Sequence, residues 1–190
     1  MDIPQDAPLV YVSFSADINP NTTEGLINVM TNCANLKVHN VYLLLSTLGG
    51  SVMHGFNLYN VLRGMPFELT THNVGSVNSI GNVIFLAGTK RYATANATFM
   101  FHGVGFDAPQ GQRLEEKYLR EKLENIASDH KRIGDIISQH TSLTKDEITK
   151  FFRETQTKDA NFAVSRGIIH EIRDVQIPSG CPILSLAFKR

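Results

Sequence analysis

Between Leu9 and His102 the chain alternates short apolar runs with amphipathic stretches, punctuated by small residues. Leu9–Phe14 predicts a buried strand, and Ile18-Asn19-Pro20 leads into a helix that places Leu26, Val29, Met30 and Cys33 on one side. Val41-Tyr42-Leu43-Leu44-Leu45 is again apolar but far too short to span a membrane, so it predicts a second buried strand. That strand stops at Gly49-Gly50, where positive φ or close backbone approach is tolerated. An amphipathic helix follows, with Val52, Phe56, Tyr59 and Leu62 on one face and Gly64 as its stop. A strand near Phe67–Thr71, a small-residue helix at Ser79 and strands within Arg91–His102 continue the alternation. Right-handed crossovers between such units predict an α/β domain with a parallel sheet and outer helices. The turns at the C-terminal strand ends then form the site.

The pattern changes after Gln110. Gln112 to His140 reads as one long helix, with Leu114, Tyr118, Leu123, Ile126, Ile133 and Ile137 forming an apolar stripe among Glu and Lys. Thr144-Lys145-Asp146-Glu147 is a capping box that starts a further helix. Lys and Arg number 4 before Gln110 and 14 after it, and acidic residues number 6 and then 12, so the later half is the more solvated one. At 190 residues the chain reads as a single domain, 1–190, with a core of its own.

Composition narrows the function classes. Lys plus Arg and Asp plus Glu both total 18, which argues against a broad basic surface for nucleic acid. Cys33 and Cys181 are isolated and fit reduced structural thiols. Met1–Asp6 lacks the positive charge and apolar core of a signal peptide, and a cytoplasmic location is expected. No phosphate loop of the GxxxxGK[ST] type occurs, so the chain is not expected to be its own ATPase. The histidines show no metal-ligand spacing, and neither metal nor cofactor is expected. His54 and His72 lie near the two turns and read as helix-face and strand-end residues, with lining of the site as the alternative.

The candidate chemistry lies in Val74-Gly75-Ser76-Val77-Asn78-Ser79-Ile80-Gly81-Asn82 and Thr98-Phe99-Met100-Phe101-His102. A serine stands between a strand and a helix start, and a histidine closes the next apolar strand. A helix N-terminus offers unpaired N–H groups and the positive end of a dipole to charge developing beside the serine. Nucleophilic acyl transfer needs that arrangement, provided the histidine reaches the hydroxyl. Ser76 and Ser79 also suit turn and capping roles, with His102 a mere strand end. The Gly49-Gly50 turn tips the balance, because it can supply a second oxyanion donor.

These segments resemble the proteolytic subunit of the Clp protease, a peptidase family with a ClpP/crotonase-like fold of repeated ββα and βαβ units. The family carries an NSPGGSV-like turn, a small-residue segment around its nucleophile, and a strand ending in its histidine. This chain has Ser-Thr-Leu-Gly-Gly-Ser-Val at 46–52, Ser-Val-Asn-Ser-Ile-Gly at 76–81 and Phe-Met-Phe-His at 99–102. The likeness continues through Ala87-Gly88-Thr89-Lys90, Gln110-Gly111-Gln112, and Phe162-Ala163-Val164 leading to Gly167-Ile168-Ile169, covering about Val10 to Ile172.

The resemblance implies a serine endopeptidase acting on peptides or unfolded segments. Ser79 would be the nucleophile, His102 the general base, and Gly50 and Ile80 the oxyanion donors. Counting back from Gly167, the position of the family's aspartate falls on Thr155, so the third triad position is degenerate. Glu154 and Asp159 lie nearby but read as a helix-end charge and an N-cap. The long helix, within a region of about 103–140, resembles the family's handle and implies a ring-forming homo-oligomer. Typical members place an axial loop and a helix before the strand matching Leu9–Phe14. Only Met1 to Pro8 precede it here, which counts against an ATPase unfoldase partner and a full double ring. Two other readings stand beside the peptidase: a weak or inactive Clp-like structural subunit, and a crotonase-like acyl-CoA enzyme, against which Ser79 and His102 together argue.

Overall fold

The computed structural model describes residues 3–108, 110–111 and 113–188. The first half contains β1 (Val10–Ser15), α1 (Pro20–Asn35), β2 (Asn40–Thr47), α2 (Val52–Gly64), β3 (Glu68–Asn78), α3 (Gly81–Phe85), β4 (Lys90–Ala93) and β5 (Thr98–Phe101). The second half contains α4 (Glu116–His140), α5 (Lys145–Glu154), β6 (Gln156–Asp159), α6 (Ala160–Ser165), β7 (Glu171–Ile172) and β8 (Ile183–Ser185). The strands form one sheet in the order β6-β5-β3-β2-β1-β8, with β4 pairing β3 and β7 pairing β4. Among the described strands every pairing is parallel except β5–β6. The α/β architecture expected from the alternation is the one found.

Alternation within β2 shows how the sheet is covered. Val41, Leu43 and Leu45 are buried and join Leu26, Met30 and Cys33 of α1 and Phe56, Leu58 and Leu62 of α2 in one core. Asn19 caps α1 in a reciprocal capping box with Thr22, and Pro20 occupies the first turn, so this crossover starts where the sequence predicts. On the opposite face Tyr11 stacks on Tyr42, and Tyr42 hydrogen-bonds the buried His72 at 2.8 Å. The His72 Nε2 lies 3.1 Å from the Arg173 carbonyl, which can only accept. Nε2 therefore carries the proton, and Nδ1 accepts from the tyrosine.

Three elements differ from the expectation. β3 runs on to Asn78, well past Thr71, because it changes partner midway. Thr70–Asn73 pair with β4 and Ser76–Asn78 with β5. Polar and glycine residues at the changeover hide that continuation from a hydrophobicity pattern. The helix expected at Ser79 begins at Gly81 and spans five residues, too short for a substantial macrodipole. The long helix begins at Glu116, which leaves Leu114 ahead of it, and Gln112 lies outside the described residues. Only Ile133 and Ile137 of the stripe are buried in the monomer, whereas Leu123 is 62% exposed.

The second half is tied to the sheet by Arg91. Its buried guanidinium donates to the carbonyls of Ile168, Gly88, His140 and Gly167, joining β4 to the ends of α4 and α6. The Thr144–Glu147 capping box starts α5 as expected, and Asp159 caps α6. Among the described residues no helix is long and apolar enough to cross a membrane, and Cys33 and Cys181 are free thiols.

Candidate active site

The first wall of the site is the glycine turn after β2. Gly49 has φ 93° and its N–H donates to Thr47 Oγ1 at 3.1 Å. Its carbonyl accepts from the Ile18 N–H at 2.7 Å, and Ser51 N–H donates to the Ile18 carbonyl at 2.8 Å. The turn is thus clamped on both sides, and the exposed Gly50 N–H has no acceptor among the described residues. A Cβ on Gly49 would lie 2.6 Å from Ser79 Cβ and 3.2 Å from Ser79 Oγ, so only glycine lets the two turns touch.

Ser79 follows β3 directly. Its N–H continues the β3–β5 ladder by donating to the Met100 carbonyl at 2.8 Å, and its φ is +57°. A positive φ is uncommon for a residue with a Cβ and marks a backbone held by its surroundings. Beyond it, the Ile80 N–H has no acceptor among the described residues, while its side chain packs on α2 at Gly55. With α3 so short, individual N–H groups of the turn, rather than a helix dipole, are what the site can offer to an anion. Ser76 has the plain role: its hydroxyl lies 3.1 Å from that of Thr98.

Register brings His102 to the same sheet end. Asn78 pairs with Met100, so Ser79 and His102 extend from the C-terminal ends of adjacent parallel strands. Both are half-buried. Ring-nitrogen hydrogen bonds occur for His72, His130, His140 and His170, whereas the His102 imidazole and the Ser79 hydroxyl have no partner among the described residues. The antiparallel β5–β6 register pairs Phe101 with Gln156, and one further step sets Thr155 opposite His102. Glu154 instead accepts from Gln156 at 2.7 Å and lies 3.9 Å from Lys150. Asp159 accepts from the Phe162 N–H at 2.8 Å as a cap. His72 sits on the other face of the sheet, and His54 lies on α2 with no recorded hydrogen bond among the described residues.

Asn82 is the residue that motif reading did not single out. It is buried, and its amide donates to the Ser79 carbonyl at 3.0 Å and the Met100 carbonyl at 2.9 Å. It therefore fixes the serine turn to the strand that leads to His102. A polar residue three positions after the serine, within an apolar helix, was the available signal. Asn82→Ala is expected to lower stability by about 1–3 kcal/mol and to slow modification of Ser79. Denaturant titration beside labelling kinetics checks this, and unchanged kinetics in a folded variant would remove Asn82 from the site. Among the described residues no group of three or more His, Cys, Asp or Glu side chains is arranged to hold a metal ion.

The family model for Clp protease matches residues 10–176, which include the Gly49-Gly50 turn, Ser79, His102 and Thr155. The chain belongs to the Clp protease family. A curated relative, the ATP-dependent Clp protease proteolytic subunit 1 of Leifsonia xyli, is 26% identical over 160 residues, covering 81% of this chain and 77% of its own length. The proteolytic subunit 2 of Corynebacterium diphtheriae is 28% identical over 145 residues, covering 73% of this chain and 69% of its own. A solved structure of a mutant ClpP1 from Listeria monocytogenes superposes with a TM-score of 0.77 at 19% identity, covering 89% of this chain and 92% of that one. At that identity the superposition speaks for the Clp fold alone.

Proposed function

We propose that this member of the Clp family, a Clp-type serine peptidase, uses Ser79 as nucleophile and His102 as general base. One observation carries the residue assignment: the β3–β5 register sets both side chains at one sheet end, against the Gly49-Gly50 turn. Ser79 Oγ attacks the scissile carbonyl while the imidazole takes its proton. The Gly50 and Ile80 N–H groups, which have no acceptor among the described residues, stabilise the oxyanion. His102 then protonates the leaving amine, and water reverses the sequence to release the acid. A fluorophosphonate that labels Ser79, located by peptide mapping, tests the assignment. Labelling confined to any other serine would overturn it.

Thr155 gives specific support to a second reading, a weakly active structural subunit. A threonine hydroxyl can accept from the imidazole N–H, but it offers no charge to an imidazolium. A crotonase-like acyl-CoA reading uses the paired N–H groups yet leaves Ser79 and His102 idle.

We further propose that the protein self-associates into a ring through α4 and is cytoplasmic, the latter in keeping with its two free thiols. Exposed Leu114, Leu119 and Leu123 on and beside α4 support the first point, since apolar side chains grouped along one helix mark an interaction face. A stable interface buries more than about 1,000 Å² in total. Leu123→Glu and Ile126→Glu are expected to dissociate the particle with the fold intact, read by light scattering beside circular dichroism. A wild-type monomer at micromolar concentration, or variants that unfold, would refute an intermolecular role for this face. No ATPase partner enters the proposal.

A further inference from the structure

β5 ends at Phe101, and the backbone after His102 leaves the sheet as an irregular segment. It does not leave untethered. The Val104 N–H donates to Nε2 of His130 on α4 at 2.8 Å. The His130 ring is stacked on Phe152 of α5, with centroids 4.8 Å apart and planes inclined by 22°. Gly103 is pressed into the corner between these helices. A Cβ there would lie 2.8 Å from the Phe152 carbonyl oxygen and 3.1 Å from His130 Nε2. Two helices thus converge on the two residues that follow the histidine of the site.

An N–H group can only donate, so Nε2 must present its lone pair, and the ring is neutral with its proton on Nδ1. Among the described residues no side chain, Ser79 and Thr155 included, is hydrogen-bonded to the His102 ring. Its position is set by the backbone on each side, the β5 pairing before it and the His130 bond after it. We propose that neutral His130 is a positioning residue for the peptidase chemistry, fixing the backbone that leaves His102 and thereby the approach of the imidazole to Ser79. This rests on the assignment of Ser79 and His102 above.

Protonation reverses the contact. An imidazolium carries N–H on both nitrogens, so the Val104 N–H would face another donor. Burial holds the His130 pKa below its usual value, with Asp129 opposing. The other charged groups around the ring are Lys131 and Asp135 on α4 and Lys145 and Arg153 on α5. On the tethered segment itself they are His102 and Asp107. The sign follows from the lowered pKa. The bond is fully present above the ordinary histidine range and is lost as pH falls through the lowered value.

Two substitutions separate the acceptor from the ring. His130→Phe keeps the stack on Phe152 and removes the acceptor. His130→Gln loses the stack but can place an amide oxygen near the Nε2 position. In the full chain, His130→Phe is expected to lower kcat on a small peptide by about 10- to 100-fold with KM little changed, as for a misplaced catalytic group. His130→Gln is expected to restore most of kcat and to remove one ionisation from the acid limb of the profile.

Hydrogen exchange over residues 102–108 reads the tether without any turnover. Protection is expected in the wild type at pH 8 and, after correction for intrinsic exchange, should fall only once the pH passes below the lowered His130 value. It should be lost in His130→Phe at pH 8 and kept in His130→Gln. Wild-type residues 102–108 that are unprotected at pH 8, or a folded His130→Phe with wild-type kcat, would overturn the proposal. The wild-type pH series stands even if a variant fails to fold. A wild type that never labels at Ser79 would instead overturn the peptidase assignment, while the exchange data would still show whether His130 holds the segment.

Discussion

Ser79→Ala is expected to abolish fluorophosphonate labelling completely, while peptide hydrolysis falls by only about a hundredfold. The two magnitudes differ for a physical reason. Groups of a triad act as a unit, and in the subtilisin series loss of the serine costs about 10⁶ in kcat whereas loss of the aspartate alone costs about 10⁴. On the proposed assignment Thr155 occupies the third position and most of the aspartate's share is already given up, so less remains for the serine to lose. Covalent labelling has no such floor, since it requires the oxygen itself. Ser76→Ala should label like the wild type, its hydroxyl being engaged with Thr98. Equal labelling of Ser79→Ala and wild type would end the assignment.

Thr155→Asp is expected to raise kcat, by up to about 10⁴ if a complete triad forms. The backbone favours the change. Thr155 has φ 48° and ψ 103°, a conformation in which a β-branched residue is strained and aspartate is several-fold better represented. The site is exposed, so a carboxylate there needs no buried counter-charge. Facing His102 across the β5–β6 pair, it would stabilise the imidazolium and move the acid limb of the rate profile to higher pH. Thr155→Asn, which suits the backbone but lacks the charge, should gain little. A wild-type enzyme as fast as ordinary serine peptidases would show that Glu154 or Asp159 already acts, despite their bonds to Gln156 and Phe162.

Much of this site could be read from residue patterns, and what could not has identifiable causes. The strand expected over Leu9–Phe14 is found from Val10, Val41–Leu45 lies within β2, and the paired glycines stop the second where close contact with Ser79 demands it. The second half of β3 escaped because its pairing switches to β5 at Gly75-Ser76, a stretch with no apolar periodicity. Asn82 and His130 escaped for a related reason. Each acts on backbone carbonyls or N–H groups brought close by the fold, and such partners leave no mark on spacing. Thr155 could be placed by counting from Gly167, but its position opposite His102 is a property of strand register. The stripe on α4 was legible as apolar, whereas its exposure in the monomer was not.

The antiparallel pairing of β5 with β6, the one such pairing among the described strands, also divides the site in time. The Gly49 turn, Ser79 and His102 come from consecutive units whose pairings close short loops, while Thr155 reaches His102 only after α4 and α5 have run out and returned. Closing the longer loop carries the larger entropic penalty, so the third position joins a site whose other parts can already be formed. Chain emerging in order from a ribosome would therefore hold the serine and histidine strands before it holds their neighbour. An unfinished chain would keep the histidine without the residue that stands opposite it until β6 zips onto the sheet edge.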